Sequence, residues 1–360
     1  MTIPARPAPV TTSEIRLEDL EQHRRELTGY CYRMLGSGFE AEDAVQETMV
    51  RAWRGIDGFE HRSAVRSWLY RIATNVCLDM LRGRQRRARP MDLGPSSNAD
   101  STRVGPTLPE ATWVLPVPED RVMAADGDPA ELAASRETIR LAFITALQHL
   151  PPRQRAVLIL REVLRWRALE VAELLDTSVA SVNSALQRAR STLASRDLDT
   201  PAPHAGDAEQ QALLARYVDA FERFDVSRLV TLLHDDAVQS MPPFAMWLRG
   251  PVEIGRWLLG PGSGCRGSRL VPTAANGTAA FGQYRSDGRG GHRPWALQVV
   301  EISGDRISGL HNFLVPEPAS RAGSVAEPAS RAGSVAEPAS RAGSANDLFA
   351  AFGLPARLGR

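Results

Sequence analysis

Residues 171–193 read VAELLDTSVASVNSALQRARSTL, two apolar-periodic runs separated by Asp176-Thr177-Ser178. Short polar side chains compete for backbone groups and so end helices, and Ser178 is placed to cap the run that follows. In that second run Val179, Val182, Leu186 and Leu193 form a packing face, while Ser181, Asn183, Ser184, Gln187, Arg188 and Arg190 form a polar one. With ALEVAELL (168–175) in front, the lengths and the turn predict a helix-turn-helix. Ser178 and the six polar residues are then the candidates to meet duplex DNA, because Asn, Gln and Arg can make bidentate contacts to base edges.

Three further helices are legible nearer the start. Leu20, Leu27, Tyr30, Cys31, Met34 and Leu35 keep helical spacing until Gly36 and Gly38. From about Glu40 to Arg54 an apolar stripe of Ala41, Ala44, Val45, Thr48, Met49, Ala52 and Trp53 leaves Asp43, Gln46, Glu47 and Arg51 elsewhere. A third helix starts near Ser63, turns Leu69, Ile72, Val76 and Met80 inward, and runs into LRGRQRRARP (81–90), a block with five arginines and no acid.

Around this third helix lie Arg62, Arg66, Arg71, Asn75, Arg82, Arg84, Arg86 and Arg87, with Phe59 and Trp68 close by. Arginines neutralise phosphates and aromatic rings stack on unpaired bases, so the set suits a melted strand better than a closed duplex. Trp68 fits a core role among Leu69, Ile72 and Val76 equally well.

The stretch from Ala88 to Arg136 reverses the charge, with eight acidic residues against four arginines. Prolines at 95, 106, 109, 116 and 118 and the lack of periodicity predict a flexible linker there. The next helical unit starts near Pro129, and Pro151-Pro152 precede a helix over Arg153–Val163.

Past a second linker at 199–207 the pattern becomes two helices followed by alternating segments, including WALQVVEIS joined through Gly304-Asp305 to RISGLHNFLV. This predicts an α+β domain with helices on one face of a curved sheet. EPASRAGSVA then recurs from Glu317, Glu327 and Glu337, a low-complexity spacer ahead of the apolar tail LFAAFGLPARL. Leu348, Phe349, Phe352 and Leu354 in that tail need a surface to bury against.

All 43 basic residues are arginine. Cys31, Cys77 and Cys265 lie far apart, without the spacing of a zinc site or a disulfide framework. The opening MTIPARPAPVTTSE lacks a signal peptide's apolar run, and no stretch is long and apolar enough to span a bilayer. The expectation is a cytoplasmic protein with no membrane partner, no cofactor and no catalytic residue.

DAVQETMVRAWR (43–54), SWLYRIATNVCLDMLRGRQRR (67–87), LPPRQRAVLILREV (150–163) and the 171–193 stretch together resemble regions 2 and 4 of extracytoplasmic-function sigma factors of the sigma-70 family. The C-terminal portion resembles the SnoaL-like cone fold, so the chain is similar to the actinobacterial sigma-G and sigma-J type. The resemblance implies a multidomain fold, with two all-α units (17–87 and 129–195) joined by an acidic linker (88–128). An α+β cone (207–316), the repeat spacer (317–345) and the tail (346–360) follow.

It also implies that Asp43, Gln46, Glu47 and Arg51 dock the clamp coiled coil of core RNA polymerase. Phe59, Arg62, Arg66, Trp68, Arg71, Asn75, Arg82, Arg84, Arg86 and Arg87 would engage the −10 element. The helix with Ser178, Ser181, Asn183, Ser184, Gln187, Arg188 and Arg190 would read −35 promoter DNA while its unit binds the polymerase flap. The linker would thread toward the polymerase active centre and RNA exit path.

The cone domain would fold back on the sigma regions and tune them in cis, with the tail as a docking segment. Trp247, Trp257, Phe281, Tyr284, Trp295 and His311 are candidates to line its cavity, where a small ligand could bind. An enzyme reading would draw on Asp219, His234, Asp235, Asp236 or His311 for acid–base chemistry. Two departures stand out: Met49 replaces a larger apolar residue, and RWR at 165–167 replaces a more neutral stretch. The alternative is a helix-turn-helix regulator fused to a small-molecule sensor or enzyme.

Overall fold

The computed structural model describes residues 17–59, 64–99, 104–123, 128–194, 207–315 and 345–359. Its first unit holds α1 (Leu17–Glu21), α2 (Arg24–Leu35), α3 (Gly38–Gly55) and α4 (Val65–Met80). Gly36 takes a left-handed conformation with φ 73° and stops α2, and the Ser37 side chain caps α3 by accepting from the Glu40 amide. Leu27, Tyr30, Cys31, Met34, Ala41, Ala44, Val45, Leu69, Ala73 and Cys77 are buried between the helices, at the positions their spacing predicts. Trp53 departs from that reading and is 56% exposed. It lies one position, about 100° of helix rotation, beyond the buried Ala52 near the open end of α3.

The short α5 (Glu119–Val122) follows, and then a second unit of α6 (Pro129–Glu137), α7 (Leu141–Gln148), α8 (Pro152–Leu158), α9 (Ala168–Leu174) and α10 (Val179–Ala194). A π-helical turn over Ile159–Val163 extends α8 to the boundary that the sequence predicts. The third unit begins with α11 (Asp207–Glu222) and α12 (Val226–Thr231), and continues through β1 (Leu233–Ser240), β2 (Trp247–Arg249) and α13 (Gly250–Leu259). Four long strands complete it: β3 (Arg269–Ala275), β4 (Thr278–Ser286), β5 (His292–Ser303) and β6 (Arg306–Leu314). The sheet order is β2-β1-β6-β5-β4-β3, with β1 parallel to β6 and every other pair antiparallel.

Strand alternation gives this sheet two working faces. Phe281, Val300, Ile307 and Leu310 pack with Tyr217, Leu229, Ile254 and Trp257 from α11–α13. The opposite face carries Ala280, Tyr284, Leu297, Val299 and Phe313, which share one apolar core with the helices of the first two units. α14 (Ala345–Ala351) and the residues after it dock on the same face. Phe349 is fully buried and meets the Tyr284 ring edge-on, at 5.1 Å between centroids. The Tyr284 hydroxyl donates to the Pro355 carbonyl at 2.7 Å, and Leu358 pairs with His292. The tail's apolar side chains therefore bury against their own domain. The repeats that precede α14 lie outside the described residues.

The proline-rich stretch is held along its described parts rather than loose. Ala88 bridges Trp113, and the Leu115 amide donates to the Gly36 carbonyl at 2.9 Å. Farther along, the Ser97 amide donates to the Trp247 carbonyl (2.7 Å), Trp247 Nε1 to the Gly94 carbonyl (2.9 Å) and the Leu108 amide to the Pro243 carbonyl (2.9 Å). A lack of periodicity marks a segment that cannot bury a face of its own, and here its backbone groups find partners on the third unit instead.

All three units meet at the turn between β3 and β4. Asn276 is fully buried with φ 55°, in the left-handed region that Asn tolerates. Its Oδ1 accepts from the Val117 amide at 3.0 Å, and its own amide donates to the Val117 carbonyl at 3.1 Å. Its Nδ2 donates to the Tyr32 hydroxyl at 2.6 Å and to the Ile139 carbonyl at 2.7 Å. Nearby, Arg33 of α2 donates to Thr138 Oγ1 at 2.6 Å, and burial pushes its guanidinium down to about 10. Arg155 of α8 donates to the Met34 carbonyl at the end of α2.

A histidine–glutamate contact lies on the same side of the sheet. His311 Nε2 stands 3.3 Å from Glu301 Oε2. Burial alone would raise the Glu301 carboxyl, but His311, with Arg89 and Arg140 beyond it, outweighs that and holds it at about 2. Its stabilisation is therefore present above the ordinary glutamate range near pH ~4.3 and is lost as pH falls through 2.

Two outcomes follow from this junction. Asn276→Ala leaves buried donors and acceptors unpaired, which costs about 2 kcal/mol or more. Native-state hydrogen exchange of the Val117 amide should then accelerate at least about 30-fold, while amides inside β5 change little. In thermal melts taken between about pH 4.5 and 2, Glu301→Gln should flatten the wild-type loss of stability.

Candidate nucleic-acid interface

α3 presents Asp43, Gln46, Glu47 and Arg51 as one exposed face, because Ala41, Ala44, Val45, Thr48 and Ala52 take the buried positions. Glu47 and Arg51 pair one turn apart at 2.7 Å, and Arg51 approaches Asp79 of α4 at 3.8 Å. Trp53 adds an exposed aromatic ring beside this face, missed in the sequence because helical spacing alone assigned it inward. Glu42, also on α3, is engaged by Arg121 of α5. Asp43 and Gln46 border an open cleft of about 1300 Å³ between the first unit, α5 and α6.

The residues expected to hold a melted strand are dispersed and mostly engaged. Phe59 and Trp68 stack on each other, 4.8 Å between centroids, and both are half-buried. Arg66 pairs with Glu26 at 2.8 Å, and its guanidinium lies 5.2 Å from the Tyr70 ring and 5.4 Å from that of Trp166. Arg71 donates to the Glu173 carbonyl of α9 at 3.4 Å, and Arg86 contacts His149.

Arg87 is buried, donating to the Trp113 carbonyl at 2.6 Å and pairing with Glu40 at 2.7 Å. Arg84 also pairs with Glu40, at 2.6 Å. Arg82 and Asn75 are exposed beside Pro151-Pro152. Arg62 lies outside the described residues.

α10 differs from α4. Ser178 Oγ accepts from the Ser181 amide at 3.1 Å, the cap that the sequence predicts. Asp176 takes φ 50°, which turns the chain between α9 and α10. Val182, Leu186 and Ala189 are buried, whereas Ser178, Ser181, Asn183, Ser184, Gln187, Arg188 and Arg190 are all exposed. Arg190 pairs with Glu162 of its own unit at 2.6 Å. Val179, expected on the packing face, is 37% exposed because it occupies the first, open turn.

The cavity of the third unit is small, about 40 Å³. Trp257 and Trp295 line it as expected, and Phe281 lies on the same side of the sheet. Tyr284 and His311 do not line it, because strand alternation sends both to the opposite face. Trp247 is drawn away to the linker at Gly94.

A hydrogen-bonded series runs through the cavity wall from Tyr217 to Gln298 (2.8 Å), to Gln283 (2.9 Å), to Ser268 (3.0 Å). Among the described residues that line it there is no carboxylate, imidazole or guanidinium. Asp219 pairs with Arg223 and Arg228, while His234, Asp235 and Asp236 are exposed on β1. Among the described residues this cavity therefore holds no acid–base pair, and it falls below the roughly 300–1,000 Å³ of a metabolite pocket.

Comparison with known proteins agrees with this division. Residues 20–87 match sigma-70 region 2, residues 140–193 match sigma-70 region 4, and residues 214–309 match the SnoaL-like domain. The chain is 44% identical over 308 residues to the ECF RNA polymerase sigma factor SigG of Mycobacterium tuberculosis, covering 82% of this chain and 80% of that one. It is 27% identical over 302 residues to SigJ of the same species, covering 80% and 88%. The crystal structure of SigJ shares the fold, with a TM-score of 0.52 at 24% identity, over 83% of this chain and 96% of that one. Two sigma-70 regions in one chain set aside the simple helix-turn-helix regulator. The chain belongs to the extracytoplasmic-function RNA polymerase sigma factors, which direct promoter-specific transcription initiation, and it carries a C-terminal SnoaL-like domain.

Proposed function

We propose that the exposed face of α3, with Asp43, Gln46, Glu47 and Arg51, docks the clamp coiled coil of core polymerase in the cytoplasm. α4 and the loop before it take the −10 strand, and α10 reads the −35 duplex while its unit binds the flap. The C-terminal domain acts in cis as a clamp on these regions, and it has no enzymatic role. The observation that carries the regulatory half is Asn276, a residue of the C-terminal domain bonded to α2, to the linker and to the start of region 4.

The geometry of the closed chain supports this reading. Promoter elements centred about 25 base pairs apart are separated by roughly 85 Å of B-DNA at 3.4 Å per pair. Regions 2 and 4 here touch through Arg66–Trp166 and Arg71–Glu173, so they must part before both elements can be held together. The linker, expected in the RNA exit path, is meanwhile bonded to Trp247, Pro243 and Asn276. The absence of acid–base groups from a cavity of about 40 Å³ favours a docking role over catalysis or metabolite sensing.

Transcription by sigma-free core polymerase from templates of the parent genome tests the assignment. Adding the chain should give promoter-specific transcripts. Gln46→Ala with Glu47→Ala should weaken core binding about 10-fold or more, and Arg188→Ala should keep core affinity while losing −35-dependent transcripts. Asn276→Ala should raise transcript yield at limiting polymerase, and an unchanged yield would remove the clamp.

A further inference from the structure

Closure treats the two DNA-facing helices unequally. On α4, Arg66 lies against Trp166 of region 4 and Arg71 is bonded to the Glu173 carbonyl, and past its end Arg87 is buried against Trp113. Arg66 and Arg71 keep an open side, but a strand could engage all three only by displacing these contacts to region 4 and the linker. On α10, Asn183, Gln187 and Arg188 are exposed among the described residues of the closed chain. The side of α10 that faces its own unit is the apolar one, with Val182, Leu186 and Ala189, so among the described residues closure leaves Asn183, Gln187 and Arg188 open.

Recognition helices of this kind enter the major groove as rigid, preformed elements, and phosphate contacts alone give a duplex measurable affinity. We infer that the closed chain, without polymerase, already binds duplex DNA through α10, and that closure, which the C-terminal domain holds through Asn276, blocks only capture of the single strand by α4. The inference rests on the assignment of α10 as the duplex reader. Its consequence is an order of events: the closed factor can survey duplex DNA, and opening then licenses strand capture.

The test uses the full chain and two probes, a pool of random 20-base-pair duplexes and a pool of random 20-nucleotide single strands, in selection followed by fluorescence anisotropy. The wild-type chain should enrich a duplex motif, with affinity changed less than about 2-fold by Asn276→Ala and weakened at least about 10-fold by Arg188→Ala. Single-strand binding should tighten at least about 10-fold in Asn276→Ala.

A parallel tightening of duplex binding in Asn276→Ala would overturn the inference, because closure would then mask both helices. Equal single-strand binding by the wild type would overturn it as well, because closure would mask neither. Duplex binding that is indifferent to Arg188→Ala would refute the assignment of α10 itself. Hydrogen exchange on the wild-type chain supplies a readout independent of any variant's folding. The selected duplex should protect Val179–Leu193 and leave Val65–Met80 unchanged, and protection of both segments would contradict the proposal.

Discussion

One buried amide side chain sets the arrangement of the whole molecule. Asn276 offers one acceptor and two donors, and these are taken by the linker, by α2 and by the residue that precedes region 4. The turn between β3 and β4 can enter the junction only because it is tight and its tip is small. Gly277, at φ 72°, lies so near Arg136 that an added Cβ would stand 2.9 Å from its backbone oxygen. Buried amides are costly when unpaired, so this geometry is all-or-none: either the three segments converge on Asn276 or the hairpin withdraws.

The two faces of the sheet suit the clamp role proposed for this domain. Its helix-covered face is nearly filled by Tyr217, Trp257 and Phe281, leaving about 40 Å³. Its other face, which a free-standing domain would have to keep polar, carries Tyr284, Leu297, Val299 and Phe313 and is covered by the sigma regions and by the tail. Glu301 and His311 lie on that outer side, near Arg89 and Arg140.

Much of this organisation was legible in the chain. The periods of α2, α3 and α4, the Asp176–Ser178 turn, the Ser178 cap and the β5–β6 hairpin through Gly304 all follow from local rules. What escaped was decided at a distance. Nothing in PSSNA or TWVLPVP announces that a separate domain will supply partners for Ser97, Ala99 and Val117, so the linker read as flexible. The cavity residues failed at Tyr284 and His311 because an aromatic or imidazole in a strand reveals its face only once the register is known. The polar face of α3 proposed for polymerase docking is exposed, since its neighbours fill a helical stripe, and Trp53 was misplaced because a helix end has no partner to cover it.

On the proposed reading this sigma factor is held closed by its own C-terminal domain and opens on polymerase. Energy transfer between dyes at Gln85→Cys and Thr177→Cys, on either side of the Arg71–Glu173 contact and in a Cys265→Ser background, measures it directly. The account predicts strong transfer in the free chain, collapsing when saturating core polymerase is added. Weak transfer in the free chain, or strong transfer that persists on the polymerase, would contradict it.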